Sequence, residues 1–192
     1  MKPILFGILA VSVLFADEIS RGAELYKEGK YAEAESELRS FVANHDDNAR
    51  ARRLLGLAMI EQKKFEAAAT ELNRAAELEP GGEAKGAAAR LYAEQKEYDK
   101  AEAELKDASG DDAAYARALV QLHNKQYEDS ARNLETYLEN DPNHAYAHYY
   151  AGLAYNGTRR KDKMLSHFEM FLRLKPDAPE ARKVRAVLQT GR

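Results

Sequence analysis

The sequence repeats a pattern of small and aromatic residues every 29 to 34 positions, and no other feature constrains the fold as strongly. One series of small residues has gaps of 34, 33, 29 and 34 positions; its members are Gly22, Gly56, Ala89, Ala118 and Gly152. A second series has the same gaps and consists of Ala34, Ala68, Ala101, Ser130 and Met164. An aromatic residue lies three positions before all members of the second series except the last. Because separate series share one set of gaps, the chain consists of about five copies of one structural unit.

Each copy has the pattern of two short helices joined by a turn. The stretch "LLGLAMIEQKKFEAAATELNRAAELEP", residues 54–80, contains an apolar helical stripe, a charged turn, an alanine-rich helical stripe and a closing proline. Prolines also end later copies at Pro142 and Pro176. Since one such hairpin buries too little apolar surface to be stable alone, successive hairpins are expected to stack. The pattern therefore predicts an all-α fold.

These copies resemble the tetratricopeptide-repeat (TPR) family, whose unit is 34 residues long. The second copy matches the family pattern closely, through Leu55-Gly56, Met59, Phe65, Ala68, Leu72 and Pro80, although no copy carries the family's tryptophan. The resemblance implies an α-solenoid of about five stacked helical hairpins and a C-terminal capping helix. The expected boundaries are 17–48, 49–81, 82–110, 111–144 and 145–178 for the repeats, and 179–192 for the capping helix.

The third repeat, residues 82–110, is shorter than the others, as the gap of 29 positions shows. Its first helix is mostly alanine, and the sequence "KDASGDD" ends its second helix early. We therefore expect the weakest packing of the chain, and a sharp change in superhelical direction, near Ala108 to Asp112.

The first sixteen residues differ from the repeats. Lys2 precedes an uncharged apolar run from Ile4 to Phe15, and the small residue Ala16 follows it. This run is short for a membrane span, which needs about 20 residues, and the pattern is that of a secretory signal peptide. We expect an exported protein, periplasmic or secreted, without stable membrane insertion after cleavage at residue 16. The alternative is an uncleaved signal that anchors the chain in the inner membrane.

Composition excludes several functional classes. The chain has 29 Lys and Arg residues against 32 Asp and Glu, with both signs interspersed, so the sequence gives no reason to expect a nucleic-acid partner. It has no cysteine, which excludes disulfides, thiolate metal sites and cysteine nucleophiles. It also lacks a nucleophile elbow, a zinc-protease helix and a calcium loop. We therefore expect no catalytic residue, no cofactor and no enzyme activity.

Two polar motifs remain, and for each of them a structural role is favoured over a binding site. His144 and His148 are four positions apart and could bind a metal ion, but no acidic or cysteine ligand converges from nearby sequence. We expect that one histidine flanks a helix start and that the other packs where the family has tryptophan. The basic segment from Arg159 to Lys163 is expected to be a solvated turn rather than a contact with anionic lipid.

The resemblance also implies a concave groove lined by the first helix of each repeat. Tyrosine, arginine and leucine dominate the positions that face it, and tyrosine and arginine are the residue types that contribute most to protein interfaces. The expected groove residues are Tyr26, Arg50, Arg53, Leu57, Ile60, Arg90, Tyr115, Leu119, Leu122, His123, Tyr146, Tyr149, Leu153 and Asn156. The carboxylate-binding residues of the chaperone-binding members are absent, because Ile19, Ala23, Leu57, Glu83 and Ala87 occupy those positions.

The leading hypothesis is a non-enzymatic adaptor of a bacterial cell envelope that binds a peptide or a partner surface in this groove. The alternative is a self-associating structural subunit of an envelope or secretion assembly. Under this alternative the protein forms a homo-oligomer. A further alternative is a non-catalytic helical module of a larger enzyme assembly. Fold-level resemblance alone does not choose among them.

Overall fold

The computed structural model describes residues 19–190, which form eleven α-helices and no strand. The helices are α1 (19–27), α2 (Tyr31–Asn44), α3 (Ala49–Glu61), α4 (Phe65–Leu78), α5 (Gly82–Glu94), α6 (Tyr98–Leu105), α7 (Asp111–His123), α8 (Tyr127–Asn140), α9 (Ala145–Gly157), α10 (Lys161–Leu174) and α11 (Ala181–Thr190). This confirms the predicted all-α fold class. The predicted signal segment, residues 1–16, lies outside the described residues. Between residues 19 and 190, no helix has both the length and the apolar character needed to cross a bilayer.

The chain divides into two compact units, Met1–Pro80 and Gly81–Arg192. In unit 1, α3 packs against both α2 and α4. In unit 2, each helix packs against the next one, and α7 also contacts α5 and α9. The helix α11 lies within the range expected for the capping helix and buries Ala181, Val184 and Leu188.

The small residues of the repeat pattern allow helices to approach closely. At Gly56 on α3, an added Cβ atom would lie 2.7 Å from the side chain of Leu72 on α4, which is closer than a real contact permits. Ala68, at the matching position of α4, is fully buried. The sequence pattern therefore marks the points at which the helices of a hairpin touch.

The segment after the shortened second helix of the third repeat contacts α5 at two glycines. The weakest packing near Ala108 to Asp112 stays a prediction, since α6 buries only Ala101. The second helix of this repeat, α6, has only 8 residues, whereas α4 and α8 have 14 each. The segment after α6 then lies directly on α5, where a Cβ atom at Gly86 would be 2.7 Å from the carbonyl oxygen of Ser109. The backbone N–H of Ser109 donates to the carbonyl of Gly82 at 2.9 Å. Glycines on α5 thus compensate for the missing residues.

The turns inside the hairpins share one conformation. Each turn contains a residue with positive φ, and these residues repeat with the same gaps of 34, 33, 29 and 34 positions; they are Gly29, Lys63, Lys96, Lys125 and Arg159. The following residue donates its backbone N–H to the carbonyl five positions earlier, as from Lys64 to Met59 at 2.9 Å. This is the hydrogen-bond pattern of a Schellman motif, which normally has glycine at the positive-φ position.

Glycine at these turns should stabilise the protein. We expect Lys96→Gly and Lys125→Gly each to raise the free energy of unfolding by about 0.5–1 kcal/mol, because a left-handed conformation is unfavourable for a residue with a Cβ atom. The control is Lys106→Gly, at an exposed position with φ of −59°, where glycine relieves no strain and should destabilise the protein. Urea unfolding of the three variants measures the effect. Equal destabilisation by all three would contradict the prediction.

Candidate functional site

The predicted groove residues differ widely in exposure. Exposed side chains belong to Arg50, His123 and Asn156, and half-buried ones to Arg53, Leu122, Tyr146, Tyr149 and Leu153. The remaining six residues are buried, with exposures of 8% or less; they are Tyr26, Leu57, Ile60, Arg90, Tyr115 and Leu119. A buried side chain cannot contact a partner while the fold is intact. These six therefore do not belong to an accessible surface, which corrects the predicted set.

Arg90 is the clearest correction, since only 1% of it is exposed. Its Nη1 donates to the Asp112 carboxylate at 2.8 Å and to the Tyr137 hydroxyl at 3.3 Å. Its guanidinium lies 4.7 Å from the ring centre of Tyr115, and its Nη2 lies 3.0 Å from Nε2 of His144. The arginine therefore joins α5 to α7, to α8 and to the start of α9 inside unit 2.

His144 has a second contact that links this cluster to the start of α9. Its Nδ1 accepts the backbone N–H of Ala147 at 3.0 Å, which caps the helix as expected for a histidine flanking a helix start. A neutral imidazole has one acceptor nitrogen, so His144 accepts a full hydrogen bond from either Ala147 or Arg90 at one time.

His148 pairs with His167 of α10, not with His144. The Nδ1 atoms of His148 and His167 are 3.0 Å apart, and Nε2 of His148 lies 3.0 Å from the carbonyl oxygen of Pro142. Since a carbonyl only accepts, Nε2 of His148 carries a proton and its Nδ1 accepts the proton on Nδ1 of His167. Burial lowers the pKa of His148, and burial together with His148 lowers the pKa of His167 to about 4. Among residues 19–190, no three potential metal ligands form a group.

The basic segment from Arg159 to Lys163 is only partly a turn, because α10 begins at Lys161, and one of its charges is paired. Lys163 donates to the Glu135 carboxylate at 2.8 Å and to the Tyr155 hydroxyl at 3.1 Å. The Tyr155 hydroxyl in turn donates to Glu135. Arg159 and Arg160, by contrast, are exposed.

A group of half-buried tyrosines lies on the helices that follow α5. Tyr150 is at its centre, with ring centres 5.4 Å from Tyr149 and 6.3 Å from Tyr146. Burial raises the pKa of the Tyr150 hydroxyl, and the nearby Glu94 and Tyr98 raise it further. We call Glu94, Tyr98, Tyr146, Tyr149 and Tyr150 the tyrosine surface.

The margins of the tyrosine surface are also polar and aromatic. The Tyr98 ring stacks on the exposed imidazole of His123, with ring centres 4.1 Å apart and planes inclined by 20°. Glu94 accepts a hydrogen bond from the Tyr115 hydroxyl at 2.7 Å, which fixes one carboxylate oxygen. The Tyr146 hydroxyl donates to Glu180 at 3.1 Å. The surface thus combines ring faces with carboxylates.

The sequence did not point to Tyr98 or Tyr150 as surface residues. Tyr98 belongs to the aromatic series of the repeat pattern, and Tyr150 is not among the expected groove residues. Both are packed against the core of unit 2 and still retain exposed area. The repeat pattern shows that an aromatic residue is needed at a position, but it does not show how much of the ring a neighbour covers.

A family model described as tetratricopeptide repeat matches residues 20–83, 60–115 and 115–179 of the chain. A search of curated protein sequences gives no match. The chain is similar in structure to the human IFIT1 dimer with PPP-AAAA, with a TM-score of 0.65, 16% identity and coverage of 91% of this chain and 46% of that chain. It is similar to PilF of Pseudomonas aeruginosa, with a TM-score of 0.54, 15% identity and coverage of 92% and 88%. It is also similar to a tetratricopeptide repeat protein from Parabacteroides merdae, with a TM-score of 0.54, 16% identity and coverage of 92% of this chain and 71% of that chain.

At these identities the solved structures show a shared fold and nothing finer. The family model is more specific, because its matches run from residue 20 to residue 179 and so cover most of the chain. The hairpin turns with their common spacing agree with the same repeat. The chain therefore belongs to the tetratricopeptide-repeat family, whose helical repeats form a protein-interaction scaffold.

Proposed function

We propose that this protein is a non-enzymatic adaptor of the bacterial cell envelope that holds a peptide segment or partner surface against the first helices of its repeats. The observation that carries the proposal is the accessible area on α7 and α9 of unit 2. Predicted groove residues keep exposed area there: Leu122, His123, Tyr146, Tyr149, Leu153 and Asn156.

These residue types suit a partner surface. A half-buried tyrosine or leucine already has an ordered side chain, so a partner gains apolar contact at a small loss of conformational entropy. Tyrosine also offers a hydroxyl for hydrogen bonding, and tyrosine is enriched among the residues that dominate binding energy. In unit 1, Arg50 and Arg53 are the predicted groove residues that keep exposed area, and we propose them as a separate contact.

The envelope location rests on residues 1–16, whose charged start, apolar run and terminal Ala16 are typical of a secretory signal. We expect a full-length chain to reach the envelope fraction and a chain lacking residues 2–16 to stay in the cytoplasm. Fractionation of cells expressing both chains measures this. An identical distribution of the two chains would contradict export through this segment.

Site-specific crosslinking tests the binding surface. We expect a photo-crosslinking residue at exposed His123 or Asn156 to form an adduct with an envelope protein in the source organism. The controls carry the same residue at Arg132 or Thr136, which are exposed on α8 and lie outside the proposed groove. Adducts of equal yield at all four positions, or none at any, would contradict the proposed surface. An adduct with a second copy of the chain would favour a self-associating subunit instead.

A further inference from the structure

The tyrosine surface has a chemical preference beyond general protein binding. Its aromatic members, Tyr98, Tyr146, Tyr149 and Tyr150, are each half-buried, so each of these residues retains exposed area. The faces of aromatic rings carry partial negative charge and attract cations. The carboxylate of Glu94 adds negative charge to this group, because it accepts the Tyr115 hydroxyl at 2.7 Å and the ring centre of Tyr115 lies 6.2 Å from that of Tyr150.

We propose that the tyrosine surface binds a lysine or arginine side chain of a peptide partner, by cation–π contact with the rings and ion pairing with the carboxylate. This inference rests on the proposed function, because it specifies the partner of that same surface.

Cations of the chain itself already use tyrosine rings of unit 2 in this way. The Lys175 ammonium lies 5.0 Å from the ring centre of Tyr146, and the Lys100 ammonium lies 5.4 Å from that of Tyr92. The Lys163 ammonium lies 4.9 Å from the ring centre of Tyr155. These are distances at which cation–π attraction acts, so tyrosine rings of this unit do bind ammonium groups. Since Lys175 already lies on Tyr146, the proposed contact falls chiefly on the other rings of the tyrosine surface.

The charge around the surface agrees with a cationic partner. Residues 81–156, which carry all five members of the tyrosine surface, contain 14 Asp and Glu residues against 8 Lys and Arg. Residues 157–192 have the opposite balance, with 10 Lys and Arg against 4 Asp and Glu. The net negative charge of the first segment favours a basic peptide over an acidic one. An acidic peptide should prefer the second segment, which makes it the informative comparison.

The test measures binding of short synthetic peptides to the full chain. The first probe alternates glycine with lysine, and the second alternates glycine with glutamate. We expect the lysine peptide to bind the wild-type chain with an affinity that fluorescence anisotropy can measure at one fixed salt concentration. The affinity for the glutamate peptide reports on residues 157–192 instead. Absence of measurable binding of the lysine peptide would overturn the inference.

Paired ring variants separate cation–π contact from general charge attraction. Tyr98→Leu with Tyr149→Leu removes two ring faces without changing the charge, and we expect the affinity for the lysine peptide to fall about five- to thirtyfold. Tyr98→Phe with Tyr149→Phe keeps both faces and should bind within about twofold of the wild type. Thermal unfolding of both variants verifies that each is folded. Equal affinities of the leucine and phenylalanine variants would overturn the inference.

A carboxylate variant tests the ion pair. We expect Glu94→Gln, which retains an acceptor for the Tyr115 hydroxyl, to weaken binding of the lysine peptide several-fold. Glu139→Gln removes an equal charge at an exposed position of α8 and should change the affinity by less than about twofold, because solvent screens that charge. Equal effects of the two variants would contradict a role for Glu94.

The inference and the proposed function can fail separately. A partner crosslinked from His123 or Asn156, together with a lysine peptide that does not bind, would overturn only the cationic preference. Failure of both experiments would overturn the surface as a whole.

Discussion

Replacing Arg90 with methionine is expected to lower the free energy of unfolding of unit 2 by about 3–5 kcal/mol. Arg90 is 1% exposed, and its side chain contacts Asp112, Tyr137 and His144. Methionine fills much of the same volume but leaves the Asp112 carboxylate buried without its cation. An uncompensated buried charge is much more unfavourable than the loss of one ion pair at the surface.

Urea unfolding measures the effect, with Arg132→Met as the matched control. Arg132 also pairs with an aspartate, Asp129, at 3.1 Å, but 74% of its side chain is exposed. That variant should change the free energy of unfolding by no more than about 1 kcal/mol. A small effect of Arg90→Met, similar to that of the control, would contradict the assigned role of the buried pair.

The double variant Arg90→Met with Asp112→Leu separates two effects of the single variant. One is the loss of the ion pair, and the other is the burial of the Asp112 charge without its cation. With both charges removed, no unpaired ion stays in the interior, so the double variant should be more stable than Arg90→Met alone. Free energies that simply add would show that the two residues do not act together.

Arg90 also shows why part of the candidate site could not be predicted. The repeat pattern places it at a groove position, and arginine is usually exposed. Its partners, however, are 22, 47 and 54 positions away, and it reaches them because the short α6 lets α5 pack directly against α7. Periodicity in one repeat does not contain this information.

The helical hairpins were predictable for the opposite reason. Ala68 and Gly56 act within one repeat, where spacing alone decides that helices of a hairpin meet at small residues. The conformation of the turns was harder to predict from the sequence. A left-handed residue at this position is normally glycine, but three of the turns have lysine there, at positions 63, 96 and 125. Local patterns thus determined the fold, whereas exposure depended on contacts between repeats.

The His148–His167 pair gives the second large effect, a loss of stability in acid. His148 presents its only acceptor nitrogen to His167, and its other nitrogen donates to Pro142. A proton taken up by His148 therefore preserves both hydrogen bonds only if His167 moves its own proton from Nδ1 to Nε2. His167 can take up a proton at Nε2, but burial opposes it, as do the pair partner and Lys163. The charge of Glu135 favours protonation of His167. At His148, Asp141 favours protonation and His144 opposes it. The folded state therefore holds the pair neutral.

The sign of the pH effect follows from the direction of these shifts. In the unfolded chain both histidines have a pKa of about 6.5, whereas in the folded chain the pKa of His148 is lowered and that of His167 is about 4. Between these values the unfolded chain binds more protons, so the stabilisation is complete above about pH 6.5 and decreases as the pH falls towards 4. Allowing for partial exposure, we expect the pair to contribute a loss of about 2–3 kcal/mol between pH 7.5 and 4.

Unit 1 should respond to acid in a lower range of pH. The Glu35 carboxylate accepts hydrogen bonds from Lys64, Gln62 and Arg39 at 2.7, 2.7 and 2.8 Å, and these bonds hold its pKa at about 2 in spite of burial. A lowered carboxyl pKa stabilises the fold above the unfolded value near 4.5, and this contribution is lost as the pH falls from 4.5 towards 2. The loss of stability expected from the histidine pair between pH 6.5 and 4 is therefore separate from that expected from Glu35.

His167→Asn isolates the contribution of the pair, because an asparagine amide can still donate to Nδ1 of His148 but does not titrate. Between pH 7.5 and 4, we expect the free energy of unfolding to fall less in this variant than in the wild type. The difference between the two decreases should be about 2 kcal/mol, which is most of the contribution of the pair. The control is His123→Asn, which removes an exposed histidine outside the pair. Equal slopes for the wild type and His167→Asn would show that the pair titrates alike in the folded and unfolded chains. A difference confined to His167→Asn would instead place the acid sensitivity of unit 2 in the contact between α9 and α10, because His148 and His167 are on these helices.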